Sequence, residues 1–267
     1  REASPLSTGR LESRLLRSAG HGVYDVDDAL FHDTGSGVRR LFSKADTFAR
    51  AVAAADVVVA GNDYLADRAS RTAREVVVIP SCVEPAAYRT KTDYAVAETP
   101  RIVWVGSPST EAYLLGIAPA LSEVHRRTGA RVHVISAGSA SLGELDPIVE
   151  RTDWGTTTSD SICAGDVAIG PLTDTPYARG KCAYKLLQYA AAGLPMVASP
   201  VGANRAALDV LGGSAATSQS DWVDALTTVL RAPGETRALW GARAREQVAE
   251  HYSFDRWADS WMATVQP

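Results

Sequence analysis

Lysine is nearly missing from this chain of 267 residues: of its 27 basic side chains only Lys44, Lys91, Lys181 and Lys185 are lysines, the rest arginines. Lysine is therefore not the default surface cation, and the pair Lys181 and Lys185, four positions apart, stands out. Cysteine is scarce too. Cys82, Cys163 and Cys182 form neither an even disulfide set nor a metal-spaced pair, which points to a reducing compartment. The five histidines, His21, His32, His125, His133 and His251, show no ligand spacing, so no structural metal is expected. The sequence has no apolar run near the roughly 18 residues of a spanning helix, and no apolar leader. It also lacks a positive excess: 27 basic against 31 acidic residues give a net charge of −4 and a pI near 5.8, so nucleic acid is not an expected partner. Methionine occurs only at Met196 and Met262, and the first residue is Arg1; the expectation is that the sequence does not open at a translation start and that a segment precedes it. Neither Gly-x-Gly-x-x-Gly nor the Gly-x-Ser-x-Gly elbow is present, although Ser107 and Ser199 lie near strand ends, so a serine hydrolase is not supported.

What is present is ordinary globular material, 46% apolar and 22% charged, enough for one large domain or two small ones. Short apolar runs alternate with helical patterns. Residues 22–26 read as a buried strand ending in the acidic turn Asp27-Asp28, and the polar segment Phe31 to Lys44 leads to a helix over 46–55. The β-branched run 56–60 ends at Gly61-Asn62-Asp63, which caps a helix over 64–73, and a further strand covers 75–80. Residues 84–100 carry two prolines and no core pattern, and read as a linker. The alternation then restarts with a strand over 101–105, the loop Gly106-Ser-Pro-Ser-Thr110, a helix over 111–127 and a strand over 131–136. Strands near 167–170 and 196–199 flank a helix over about 182–192, stopped by Gly193 and Pro195. The tail from 221 to 265 is helical in pattern, with Trp222, Trp240, Trp257 and Trp261 expected as packing residues. Apolar strands alternating with helices indicate parallel sheets covered on both faces.

Three places suggest chemistry. Lys181 and Lys185 share a face if both stand on the predicted helix; cations beside a helix N-terminus make a site for phosphate or diphosphate. The loop at Gly106 and Ser107 follows a strand and precedes a helix, where open α/β sheets bind ligands, and a small residue there lets a ligand approach the backbone. Val23-Tyr-Asp-Val-Asp-Asp-Ala-Leu30 offers Asp25, Asp27 and Asp28. Such carboxylates can hold a divalent cation on substrate phosphates, or act as nucleophile (Asp25) and acid/base (Asp27) as in haloacid-dehalogenase-like phosphatases. Ala29 following Asp28 and the single acidic residue Asp166 in 165–170 depart from that phosphatase pattern.

The stretch Gly180-Lys-Cys-Ala-Tyr-Lys-Leu-Leu-Gln-Tyr-Ala-Ala-Ala-Gly-Leu-Pro-Met-Val-Ala-Ser-Pro-Val-Gly202 resembles the donor-site segment of retaining glycosyltransferases of family 4. Asp166 to Leu172, Trp104 to Thr110, Tyr24 to Leu30 and the helical tail after His251-Tyr-Ser-Phe254 resemble the same family in the same order. The resemblance implies the GT-B fold: two Rossmann-like doubly wound domains, the N-terminal one incomplete by about two βα units. The domains are then residues 1–90 on the acceptor side, 91–250 binding nucleotide sugar, and a C-terminal helix over 251–267 packing back on the first. It further implies sugar transfer from a nucleotide sugar with retention of configuration and without a metal or other cofactor. Family 4 usually carries two glutamates where Gly180 and Gln188 stand here, and a bacterial subset has Gly-Lys-Cys-x-x-Lys-Leu-Leu-Gln-Tyr in this place. Carried over residue by residue, Lys181, Lys185 and Arg179 meet the diphosphate, Gly106, Ser107 and Gln188 contribute to donor binding, and Asp27 and Asp28 lie near sugar and acceptor. The implied partners are a nucleotide sugar, an acceptor of small-molecule, glycan or lipid-linked type, and a second copy of the chain. The implied place is the cytoplasm, with the inner membrane face open; the arginine- and alanine-rich, lysine-poor composition points to a GC-rich bacterial source. Two alternatives stay open: a nucleotide-sugar-binding subunit that needs a partner for turnover, and the phosphatase.

Overall fold

The structure is a computed structural model that describes residues 8–32 and 43–266. Most of the polar segment between Phe31 and Lys44 thus lies outside the described residues. In chain order the elements are α1 (Arg10–Ser18), β1 (Val23–Val26), α2 (Lys44–Ala54), β2 (Val57–Ala60), α3 (Asp63–Ala69), β3 (Val76–Val78), β4 (Arg101–Val105), α4 (Ala112–Leu115), α5 (Ala118–Thr128), β5 (Arg131–Ile135), β6 (Val149–Thr152), α6 (Thr158–Cys163) and β7 (Val167–Gly170). There follow α7 (Pro176–Arg179), α8 (Tyr184–Ala191), β8 (Met196–Ala198), α9 (Ala203–Leu211), β9 (Ser214–Ala215), α10 (Gln219–Arg231), α11 (Gly234–Tyr252) and α12 (Phe254–Val265).

These form two compact units. The first holds the described residues up to Cys82, the segment Asp174–Cys182 and the chain from Phe254 on. Its sheet has the order β1-β2-β3, all parallel. Val57-Val-Val-Ala60 is buried throughout, as expected of a central parallel strand made of β-branched residues. Around it pack Tyr24, Val26, Phe31, Phe48, Val52 and Leu65. Asn62 caps α3 by accepting from the Leu65 N–H at 2.9 Å.

The second unit, Val83–Thr173 with Ala183–Ser253, has a six-stranded parallel sheet in the order β6-β5-β4-β7-β8-β9. The chain builds outward from β4, returns, and builds outward the other way from β7. That is the strand order of the dinucleotide-binding fold, and its switch point lies between β4 and β7. Side chains alternate between the two faces: Ile102, Trp104, Val132, Val134, Val167 and Ile169 pack under α5 and α10, while Val103, Val105, Ile135 and Ala168 pack under α8, α9 and α11. A period of two with both faces apolar is why these strands read as continuous hydrophobic runs.

Several expectations need correction. The helix over 111–127 is two helices, preceded by a 3-10 turn at Pro108–Thr110. Gly116 and Ile117 separate α4 from α5, and Pro119 has no N–H to give to the carbonyl of Leu115. Residues 84–100 are no free linker. They lie along the second unit, with Lys91 N donating to Ala192 O at 2.9 Å, the Tyr94 hydroxyl to Gly193 O at 2.7 Å and Arg89 N to Ser159 Oγ at 2.7 Å. β6, β9, α1, α6, α7 and α9 are not among the elements expected from the sequence; β6 is only half-buried along its whole length and so carries no apolar run. The tail is helical as expected. Trp222 is buried in the same core cluster as Trp104 and Trp240 packs against that cluster, whereas Trp261 is exposed.

Candidate functional site

The residues singled out in the sequence fall into two groups, one in each unit. In the first unit β1 runs into the turn Asp27-Asp28-Ala29, and β2 into Gly61-Asn62. The segment after α7 packs on both turns. A Cβ on Gly180 would lie 2.4 Å from Ala29 Cβ and 2.9 Å from Ala29 N, so the glycine is required by backbone approach and no carboxylate-bearing side chain fits here. Lys181 Nζ stands 3.5 Å from Asp28 Oδ1, with about a fifth of its side chain exposed, and 5.0 Å from the centre of the Tyr177 ring. Arg179 grips Asp174 with both arms, Nε to Oδ1 at 2.7 Å and Nη2 to Oδ2 at 3.0 Å. That pairing holds the Asp174 carboxyl below the usual carboxylate range. Asp27 offers its backbone carbonyl to the Cys182 thiol at 3.1 Å. Asp25 is exposed on β1, the outer strand of the described sheet.

Lys181 and Lys185 do not share a helix face. Helix α8 begins at Tyr184, and its N-cap Ala183 sits in the left-handed region at φ 55°, the only such non-glycine among the described residues. That turn ends the irregular stretch carrying Lys181 and starts a new helix for Lys185. A left-handed alanine costs about 1–2 kcal/mol.

In the second unit the loop after β4 leads the site residues. A Cβ on Gly106 would meet the Trp104 ring at 2.5 Å and Thr110 Oγ1 at 2.9 Å; packing over the indole accounts for this glycine. Ser107 Oγ lies 3.1 Å from Ser109 Oγ, and Thr110 Oγ1 donates to Ser107 O at 2.9 Å. Lys185 Nζ sits 5.3 Å over the Trp104 ring, a cation on an indole face. Lys185 and Gly106 thus touch the same side chain at the C-terminal end of β4. Gln188 is buried on α8 and its amide donates to the Tyr88 hydroxyl at 3.2 Å; burial pushes that phenol up to about 12. Ser199, after β8, accepts from Leu172 N at 3.0 Å.

Two kinds of residue were not foreseen as parts of these arrangements. Tyr189 is fully buried, and its hydroxyl accepts from Val105 N at 3.0 Å and donates to Ile169 O at 3.1 Å. It pins the ends of β4 and β7 at the switch point. Its signal in the sequence was only its place at the end of the Gly180-Lys-Cys-Ala-Tyr-Lys-Leu-Leu-Gln-Tyr189 segment, which gave it no role. Asn62 and Cys182 tie the segment after α7 to the ends of β1 and β2. Asn62 was readable as a cap, but its second set of partners is 118 to 120 positions away. Among the described residues no three His, Cys, Asp or Glu side chains gather as a metal site, and no helix is long and apolar enough to cross a membrane.

No family model matches the sequence, and no curated protein matches it significantly. Solved structures do. A sucrose-phosphate synthase from Thermosynechococcus elongatus superposes with a TM-score of 0.73 at 12% identity, over 96% of this chain and 70% of its own. WaaG, a glycosyltransferase involved in lipopolysaccharide biosynthesis, gives 0.70 at 15% identity over 94% and 76%. HepE of Anabaena, solved with UDP and glucose, gives 0.68 at 14% identity over 91% and 71%. The chain therefore has the GT-B fold of these glycosyltransferases, built from parallel α/β sheets.

Proposed function

We propose that the chain is a retaining glycosyltransferase that takes its sugar from a nucleotide sugar without a metal ion, acting in the cytoplasm on an acceptor yet to be identified. The observation that carries this reading is the shared contact of Lys185 and Gly106 with the Trp104 ring, at the end of β4 beside the switch point where such sheets bind ligands. Breaking the bond from the anomeric carbon to a nucleoside diphosphate puts positive charge on the sugar and negative charge on the departing diphosphate. Lys185 on the first turn of α8 and the N–H groups of that turn supply fixed positive charge for the diphosphate, and the family resemblance assigns Lys181 to the same charge. The roles carried over from the resemblance are donor binding for Gly106, Ser107 and Gln188, the diphosphate for Arg179, and sugar and acceptor for Asp27 and Asp28. HepE, a structural neighbour, was solved in complex with UDP, which makes UDP the first donor base to try.

The test is a thermal-shift series with UDP, GDP, ADP and TDP, with and without magnesium, followed by transfer assays. A ligand at 100 times its Kd raises stability by about 2.7 kcal/mol, and the shift with one base should be the same in EDTA. Lys185→Ala should lower kcat by about 10²–10³. Full transfer by that variant, or no shift with any nucleotide, sinks the reading. Retention is read from the anomeric configuration of the product. A second reading, a donor-binding chain without turnover, is favoured by the closed space at Gly180; turnover by the purified chain removes it.

A further inference from the structure

The first unit contains a polar clamp whose parts exceed what capping a helix requires. Any of Ser, Thr, Asp or Asn supplies the acceptor of an N-cap. The residue here is Asn62, about nine-tenths buried, and its amide is used at both ends. While Oδ1 accepts from Leu65 N, Nδ2 donates to Gly180 O at 3.1 Å and Lys181 O at 3.2 Å, with Cys182 Sγ at 3.5 Å. One acceptor and two donors in a single short side chain is an inventory that asparagine alone among the capping residues provides. The Cys182 S–H donates in turn to Asp27 O at 3.1 Å. Burial, with Asp28 and Asp27 nearby, pushes the thiol up to about 12, so its proton stays in place as a donor. Two glycines let this segment come so close to the strand ends: a Cβ on Gly61 would lie 2.5 Å from Cys182 Sγ, and one on Gly180 would run into Ala29.

We propose that Asn62 is a positioning residue for Lys181, and that the Cys182 thiol closes the same clamp onto the end of β1. The clamp fixes the carbonyls of Gly180 and Lys181 toward the strand ends. That choice of peptide orientation sends the Lys181 side chain to Asp28 and the Tyr177 ring. A lysine has four rotatable side-chain bonds and loses about 2 kcal/mol of rotamer entropy when ordered; a backbone held at three points removes the remaining freedom of its root. The chemical meaning of a positioned Lys181 rests on the donor-binding function proposed above, whereas the clamp itself can be tested without any substrate.

Asn62→Ser keeps an acceptor for the α3 cap and deletes both amide donors, so it separates the two tasks. Peptide-resolved mass spectrometry of iodoacetamide alkylation reads the clamp. Cys182 should react at least about 10-fold faster in Asn62→Ser, Cys82 and Cys163 at wild-type rates, and the melting temperature should fall by only a few degrees. Cys182→Ser, which keeps an O–H donor, should behave as wild type toward UDP, and Cys182→Ala should follow Asn62→Ser. An unchanged Cys182 rate in Asn62→Ser overturns the clamp. Calorimetry with UDP reads the positioning. Asn62→Ser and Lys181→Ala should each weaken UDP by a similar factor of about 5–20, and the double variant no further, because a residue acting through Lys181 has nothing left to act on. Additive losses overturn the positioning role. If the wild-type chain binds no UDP, the donor function and the role given to Lys181 fall together, while alkylation still decides the clamp.

Discussion

The segment 180–182 of the first unit and the loop 106–110 of the second each carry candidate site residues at the C-terminal ends of parallel strands, and they are held by opposite means. The first is fixed by directed hydrogen bonds from one amide and one thiol. The second rests on a fully buried indole, with its glycine pressed on the ring and Lys185 on the ring face. A net hydrogen bond contributes about 0.5–1.5 kcal/mol, whereas burying a large aromatic contributes several times that. The polar clamp therefore selects one orientation at modest energy, and the aromatic floor gives strength without choosing among orientations. The second unit places its lysine on a regular helix, where direction comes from the helix itself, and the first must supply direction to an irregular stretch.

Removing the floor is the harshest test of that contrast. Trp104→Ala should cost about 3–5 kcal/mol in chemical denaturation, far above Asn62→Ser; a loss under about 1 kcal/mol would mean that the loop is held by something else. Next come the glycines. Gly180→Ala and Gly106→Ala should each cost about 1–3 kcal/mol, and Gly180 the more, because its Cβ meets the backbone of Ala29 while that of Gly106 meets side-chain atoms of Trp104 and Thr110. Equal or reversed losses would break the comparison. A smaller effect, of opposite sign, is expected at the junction. Ala183→Gly relieves a left-handed alanine of about 1–2 kcal/mol against roughly 0.5–1 kcal/mol for the added backbone freedom, so the melting temperature should rise by about 1–3 °C. A fall would show that the methyl of Ala183 packs more than its strain costs.

The smallest effect concerns a polar side chain set into the second unit's sheet. His133 on β5 has its Nε2 2.7 Å from Thr152 Oγ1. Burial, and secondarily the charge of Arg101, hold its pKa below the ordinary value of 6.5, with Glu150 opposing. The folded state thus favours neutral imidazole and the unfolded state takes up the proton first. This histidine's contribution is complete above about pH 6.5 and is lost as the pH falls from there toward its folded value. His133→Gln should flatten the stability profile in that window relative to wild type; an identical slope would place the titration elsewhere.

Much of the fold was readable because burial on both faces writes itself into the chain as apolar β-branched runs. Val57–Ala60, Arg101–Val105 and Val167–Gly170 all came out within a residue or two. The half-buried edge strand β6 and the two-residue β9 were not, since an edge strand needs no apolar run and a short one leaves no period to detect. Of the site, the sequence displayed the rare lysines and the loop after β4, because both are local features. It misjudged the geometry of Lys181 and Lys185, because spacing alone assumes an unbroken helix, whereas α8 starts only after the left-handed turn at Ala183.

The sequence by itself determined which strands are parallel and buried, where α3 is capped and which cations are few enough to notice, all of which depend on neighbours within a turn or a strand. Only the tertiary structure decided why Gly180, Gly106 and Gly61 are glycines, that Tyr189 ties β4 to β7, and that Asn62 serves a segment 118 residues away. Those choices are set by the distance between chain segments that meet only after folding, and no periodicity records that distance.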